Sequence, residues 1–293
     1  MNKPEIGSPT RTRAIMETYG LAFKKSLGQN FLTDLNILKK IVAAADVTKD
    51  DNVLEIGPGI GALTEQIALN ANQVLALEID QRLLPVLDET LADYSNVKVV
   101  HQDVLKADLN KLLADNFSEQ KNLKLVANLP YYITTPIIMH LLAEKIDVEL
   151  MAVMMQKEVA DRLTAQPGSK SYGSLAVAVQ YEMDTEIAFI VPKTAFVPQP
   201  QVDSCIVVLR KKKHKTLVAQ DEDYFQRMIK GIFMHRRKSL WNNLLSMYGK
   251  KPETKEKLTA ALAQAEIEPG VRAEKLSIAK LIDLSDALMA ENL

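Results

Sequence analysis

Val53-Leu54-Glu55-Ile56-Gly57-Pro58-Gly59-Ile60-Gly61-Ala62-Leu63-Thr64 is the stretch that decides the fold. A short apolar run of strand length stops at three closely spaced glycines, and an apolar helical pattern takes over from Gly61 to Asn70. Glycines at such a junction permit a tight turn and let backbone amides approach a ligand closely. Glu78 follows Gly57 by 21 positions, at the end of the next apolar run, Val74 to Glu78. A carboxylate there can accept hydrogen bonds from both hydroxyls of a ribose. The pair implies an adenosine-containing ligand without choosing among them: Gly57, Gly59 and Ala62 also satisfy the loose dinucleotide fingerprint, so a nicotinamide cofactor stays open at this point. Purely structural glycines are the plainer alternative.

Outward from this stretch, apolar runs alternate with helical patterns. Ile37 to Ala45 reads as a helix, and Leu83 to Leu91 and Thr135 to Leu142 as helical intervals. Strands are predicted at Val97 to Val100, Leu123 to Ala127 and Leu150 to Met154. This is βαβ alternation, for which a doubly wound parallel sheet is the economical solution. Two later runs, Glu186 to Val191 and Ser204 to Leu209, flank the proline-rich segment 193–203 with no helix-length interval, and are predicted to add a terminal antiparallel pair. The total is a mainly parallel, seven-stranded sheet. The basic run Arg210-Lys211-Lys212-Lys213-His214-Lys215 marks a boundary, after which the pattern is helical. Phe225, Met228, Ile229, Ile232 and Phe233 share one helix face, and Leu258, Leu262, Ile278, Leu281, Ile282 and Leu288 serve later helices. The expected division is an α/β domain over 1–209 and a smaller all-helical domain over 210–293.

The 293 residues are 47% hydrophobic and 25% charged, enough to bury a sizeable core. One cysteine, Cys205, excludes a disulfide within the chain and a cysteine zinc site, and four histidines offer little to a metal, so none is expected. No apolar stretch reaches membrane-span length and the opening residues lack a signal-peptide core, so the expectation is a cytoplasmic protein without a membrane partner. The net charge of −1 hides a division. Residues 1–30 carry +3, with Arg11, Arg13, Lys24 and Lys25 among the bases, residues 31–204 carry −10, and residues 205–250 carry +8. Basic segments beside an acidic body suit a polyanion-binding protein with a separate small-molecule pocket; solvated charges at a linker are the bland alternative.

Two further motifs close strands. His101-Gln102-Asp103 places a carboxylate where it could accept from an adenine amino group, although an Asp at a strand end is more often a turn or helix cap. Asn128-Leu129-Pro130-Tyr131 follows the fourth strand, at the rim where open α/β sheets bind ligands. An Asn side chain and backbone carbonyls can accept both hydrogens of a planar amino group, and Tyr131 offers a ring for a heterocycle to stack on. Ordinary turn chemistry would also account for Asn and Pro there.

With these motifs in view, the sequence resembles the small-subunit (16S) rRNA adenine N6-dimethyltransferases, within the class I S-adenosylmethionine-dependent methyltransferases of Rossmann-like fold. The resemblance rests on Leu27-Gly28-Gln29-Asn30-Phe31-Leu32, the glycine turn 55–64, Glu78 with Asp80, the segment 128–137, Gln156-Lys157-Glu158 with Tyr172-Gly173-Ser174-Leu175, the run from Phe196 to Ser204, and Arg236-Arg237-Lys238-Ser239-Leu240. Tyr132 stands where many members have Asn. By position, the resemblance implies that Asn30, Leu32, Gly57, Glu78, Asp103 and Asn128 contact S-adenosylmethionine. It implies that Asn128 to Tyr131 hold the target base and that Phe196 closes over the base's other face; the +8 balance over 205–250 makes Arg236, Arg237 and Lys238 the expected grip on rRNA phosphates. For Phe196 the plain alternative is a core aromatic.

The implied activity is dimethylation of two adjacent adenosines near the 3′ end of small-subunit rRNA, on an immature 30S particle, by a monomeric enzyme. A large-subunit resistance methyltransferase and a non-catalytic assembly factor with the same fold compete with it. The segments around Gln156 and Arg236 argue against the first, and the intact tetrapeptide and glycine turn against the second.

Overall fold

The computed structural model describes residues 4–21, 30–118 and 121–293. Helix α1 (Pro9–Thr18) is capped by the Ser8 hydroxyl, and the short strand β1 (Phe31–Leu32) leads into α2 (Leu35–Ala44), where Asp34 accepts from the amides of Asn36 and Ile37. Strands and helices then alternate as β2 (Asp51–Ile56), α3 (Ala62–Asn70), β3 (Gln73–Glu78), α4 (Leu84–Thr90), β4 (Val97–His101), α5 (Leu109–Asn116), β5 (Asn122–Asn128), α6 (Thr134–Ala143) and β6 (Val148–Gln156). After α7 (Lys157–Leu163) and α8 (Ser174–Glu182) come β7 (Met183–Val191), the short β8 (Phe196–Val197) and β9 (Ser204–Lys211).

Seven strands form one sheet in the order β4-β3-β2-β5-β6-β9-β7, parallel from β4 through β6 and antiparallel between β6 and β9. Helices pack on this sheet as the βαβ pattern requires, around a core that includes Ile41, Val53, Ile67, Val74, Val126, Ala152 and Ile206. The two late strands extend the parallel sheet, but in reverse of chain order. β9 is buried from Ser204 to Leu209, whereas β7 is largely solvent-facing, so the strand that needs cover on both faces takes the inner place and β7 the edge.

The chain divides into two compact units, Met1–Ala160 with Thr185–Lys211, and Asp161–Asp184 with Lys212–Leu293. The second unit is helical: α8 packs with α9 (Glu222–Ile232), α10 (Leu240–Tyr248), α11 (Pro252–Gln264) and α12 (Ile278–Ala290). The amphipathic face of α9 behaves as its spacing predicts, with Phe225, Met228, Ile229 and Ile232 all buried. The structure differs from the expected division at 209/210 because Tyr172, Ala176, Val177 and Tyr181 belong to this helical core, the Tyr181 ring lying 4.8 Å from that of Phe225. Among the described residues, no helix is long and apolar enough to cross a membrane.

Candidate functional site

Strands β2 to β5 end at one rim of the sheet. Register pairs Glu78 with His101, and the Gln102 amide donates to the Glu78 carbonyl at 2.9 Å, so the residues after β3 and β4 emerge side by side. One cavity opens there. Its wall is made by Gly57 to Ile60 after β2, Glu78 and Ile79 at β3, Gln102 and Asp103 after β4, Asn128 to Tyr131 after β5, and Asn30 to Leu32. This is the crevice outside the carboxyl ends of a parallel sheet.

The glycine turn is held by the Gly57 amide donating to the Leu77 carbonyl at 2.9 Å, with Gly57 at φ +74° and Gly59 at φ +61°. Side chains are disfavoured at both angles. At Gly59 space is short as well, since a Cβ would stand 3.0 Å from Cε1 of the Phe31 ring. Glu78 is buried, and its carboxylate accepts from the amides of Asp80 (2.8 Å) and Gly59 (3.3 Å). Burial raises its pKa and these amides oppose the rise. Asp103 Oδ1 caps a short 3₁₀ turn by accepting from the Leu105 amide at 3.1 Å, and the residue lines the cavity.

At β5, the Asn128 amide nitrogen donates to the Asn30 carbonyl at 3.4 Å, which leaves the side-chain oxygen as the acceptor. Leu129 is buried and its amide donates to the Met154 carbonyl at 3.3 Å. The Pro130 carbonyl is engaged by the Ile133 amide and the Thr134 hydroxyl, which turns the chain into α6. Tyr131 is half-buried, and its hydroxyl lies 2.7 Å from that of Ser204. Tyr132 lines the same rim and is exposed.

Phe196 is not part of the cavity wall. Its backbone pairs with Leu32 between β8 and β1, the ring is buried in the core at 3% exposure, and Leu32 takes the lining position. Arg236 has partners within the protein. Its guanidinium donates to the carbonyls of Lys170 and Tyr172 and lies 3.6 Å from Glu274, which anchors the 170–172 segment, while Arg237 and Lys238 are exposed with no side-chain partner among the described residues. Within the boundary run, Arg210 pairs with Asp46, Lys211 with Asp147, and Lys215 with Glu182 and Glu222, so most of that positive charge is neutralised locally. Lys24, Lys25 and Leu27 to Gln29 lie outside the described residues.

Residues 20–289 match the family model described as ribosomal RNA adenine dimethylase. The chain belongs to the ribosomal RNA adenine dimethylase family. It is 70% identical over 286 residues to "Ribosomal RNA small subunit methyltransferase A" of Ligilactobacillus salivarius, covering 98% of this chain and 97% of that protein. Among solved structures it resembles a dimethyladenosine transferase from Plasmodium falciparum (TM-score 0.75, 24% identity, 89% of this chain and 98% of that chain). It also resembles the 23S rRNA methyltransferase ErmE (TM-score 0.67, 28% identity, 89% and 100%). In this member of the rRNA adenine dimethylase family the glycine turn, Glu78 and the tetrapeptide share one cavity, as their strand-end positions in the sequence require.

Glu55 is a cavity residue that the motif reading did not single out, although a lone carboxylate inside an apolar strand was a visible signal. It is 1% exposed, and its Oε2 has no hydrogen-bond partner among the described residues. Burial pushes its pKa up to about 8 from 4.5; the Thr64 hydroxyl pulls the other way and the Glu78 carboxylate adds to the rise. Below pH 4.5 the carboxyl is neutral both folded and unfolded, whereas between 4.5 and about 8 only the unfolded chain ionises it, so stability falls across that window by up to about 1.4 kcal/mol per pH unit. Glu55→Gln removes this slope: the difference in Tm between variant and wild type should move in the variant's favour from pH 4.5 to 8. A difference that stays flat with pH would show that Glu55 is ionised in the folded protein.

Proposed function

We propose that this protein transfers two methyl groups from S-adenosylmethionine to the N6 amino group of adenosines in small-subunit ribosomal RNA, on an immature 30S particle. The observation that carries the reading is the position of Asn128 to Tyr131 on the wall of a cavity whose other wall holds Glu78 and Asp103. The small-subunit assignment is supported by 70% identity to the Ligilactobacillus salivarius protein against 28% to ErmE.

The residues present fit the donor. Two buried carboxylic acids, Glu55 and Glu78, face a cavity able to receive a cationic nucleoside, and the absence of a side chain at Gly59 keeps the turn close to it. Glu78 would accept from the ribose hydroxyls, Asp103 from the adenine amino group, and Asn30, Leu32 and Gly57 would complete the wall. When bound, the sulfonium supplies an already activated methyl group. The target amino nitrogen is a poor nucleophile because its lone pair is delocalised into the ring, so the protein's task is orientation and electrostatics. Asn128, its amide turned by the Asn30 carbonyl, would present oxygen to the amino hydrogens, together with a tetrapeptide carbonyl other than that of Pro130, which the turn already engages. Such acceptors favour the pyramidal, nucleophilic form of the nitrogen, and the proton leaves after transfer, when the nitrogen is acidic. Tyr131 would stack on the base.

Mass mapping of modified adenosines tests the reading, with undermethylated small subunits and labelled donor. Two dimethylated adenosines near the 3′ end are expected; no label on small-subunit adenosines overturns it.

RNA contact is proposed for the exposed bases Arg237 and Lys238. Replacing both by Glu should weaken particle binding and reduce the logarithmic salt slope by about 0.7 to 0.9 per lost phosphate contact, with donor affinity unchanged. An unchanged slope would move the RNA surface elsewhere. Arg236→Glu is a poorer probe, because it also breaks the contacts to Lys170, Tyr172 and Glu274.

A further inference from the structure

We propose that Ser204 is a positioning residue for methyl transfer, acting through Tyr131; the inference rests on the function proposed above. Tyr131 follows the end of β5 and lines the cavity, so its backbone fixes only one end of the ring. The other end meets Ser204: the two hydroxyl oxygens are 2.7 Å apart. That bond sets the direction of the ring axis, and because a phenol's hydrogen and its acceptor direction both favour the plane of the ring, it also restrains rotation about the axis whichever hydroxyl donates.

The anchor itself is rigid. Ser204 is fully buried and opens β9, where it pairs with Gln156 of the inner strand β6, followed by Cys205 with Met155. The preceding residue, Asp203, is fixed twice, its carboxylate accepting from the Lys193 amide at 2.9 Å and its carbonyl from the Lys157 amide at 3.2 Å. Burial raises the Tyr131 pKa against the opposing pull of Ser204, so the phenol keeps its proton and the hydroxyl pair stays neutral. An apolar residue would suit the packing of an inner strand at least as well as serine, since a buried hydroxyl must find a partner. The hydroxyl at 204 is therefore explained by the ring it holds. Held at both ends, the ring is ready to stack on a flipped base without first losing rotational freedom, and a loose ring would bind the base in geometries from which transfer is slow.

The test is a double-mutant cycle on the full chain with undermethylated small subunits, comparing wild type, Ser204→Ala, Tyr131→Phe and the double variant in single-turnover methylation. Donor affinity by calorimetry and Tm are measured alongside. Each single variant should slow transfer roughly three- to tenfold, as expected for one hydrogen bond, with the KM for donor unchanged, and the double variant should be no slower than either single. A purely structural serine would lower Tm and leave the single-turnover rate of the folded protein at the wild-type value, which overturns the inference; so do rate effects that multiply in the double variant. Tyr131→Phe deletes the same bond from the cavity side and leaves β9 intact. If Ser204→Ala fails to fold, a wild-type rate for Tyr131→Phe is overturning by itself. A wild-type protein that methylates no small-subunit adenosine would bring down the proposed function and this inference together, whereas normal wild-type turnover with unaffected variants brings down the inference alone.

Discussion

Asn128→Ala is expected to lower the methylation rate on small-subunit particles by about 100- to 1000-fold while leaving RNA affinity within a factor of two or so, the rate loss being typical of removing one preorganised group aimed at the reacting centre. Asn128 sits at the β5 rim with its amide committed to the Asn30 carbonyl, so its oxygen has one direction in which to act, and alanine removes the acceptor without creating a buried charge. Turnover against filter binding separates the two effects. A near wild-type rate would mean that the amino-group acceptor lies elsewhere on the tetrapeptide. Tyr131→Ala should also be severe, since it deletes the stacking ring, and Tyr131→Phe should be the milder of the two because only the Ser204 bond is lost.

Glu78→Ala should weaken S-adenosylmethionine binding by at least about 100-fold, because two hydrogen bonds to a charged group contribute on the order of 1.5 to 3 kcal/mol each. In the folded chain the same carboxylate accepts from the Asp80 and Gly59 amides, so the substitution also loosens the glycine turn. Glu78→Gln separates the two contributions: it keeps one acceptor for the turn and should fall between alanine and wild type in calorimetry. Unchanged donor affinity in a folded alanine variant would remove Glu78 from the binding site.

The candidate cavity was legible to a large degree because its parts are local. A strand followed by glycines, an acidic residue one strand later and a polar tetrapeptide two strands beyond that each announce a strand end, and parallel strands bring their carboxyl ends to one rim whatever their lateral order. Glu78, Asp103, Asn128 and Tyr131 were found this way. The burial of the Phe196 ring was not legible, because a proline-rich turn signals an irregular backbone but not which way its aromatic points; its backbone pairs with Leu32 and the ring lies in the core. Ser204 carried no separate signal, as a serine at the start of an apolar strand looks like a strand boundary until its partner across the sheet is known.

By itself, then, the sequence determined the alternation of strands and helices, the acidic body beside basic segments, the strand-end chemistry and the amphipathic face of α9, since each depends on residue types within a few positions of one another. Tertiary structure alone decided the rest. It set β9 between β6 and β7 because the strand buried from Ser204 to Leu209 had to be covered on both faces. It drew α8 into the helical unit through Tyr172, Val177 and Tyr181. It bound Arg236 to carbonyls 64 and 66 positions away, while Arg237 and Lys238 have no side-chain partner among the described residues, and it joined Tyr131 to Ser204 across 73 residues. These are contacts between distant segments, and a periodicity or a motif read along the chain holds no information about which distant side chain will complete a hydrogen bond or bury a ring.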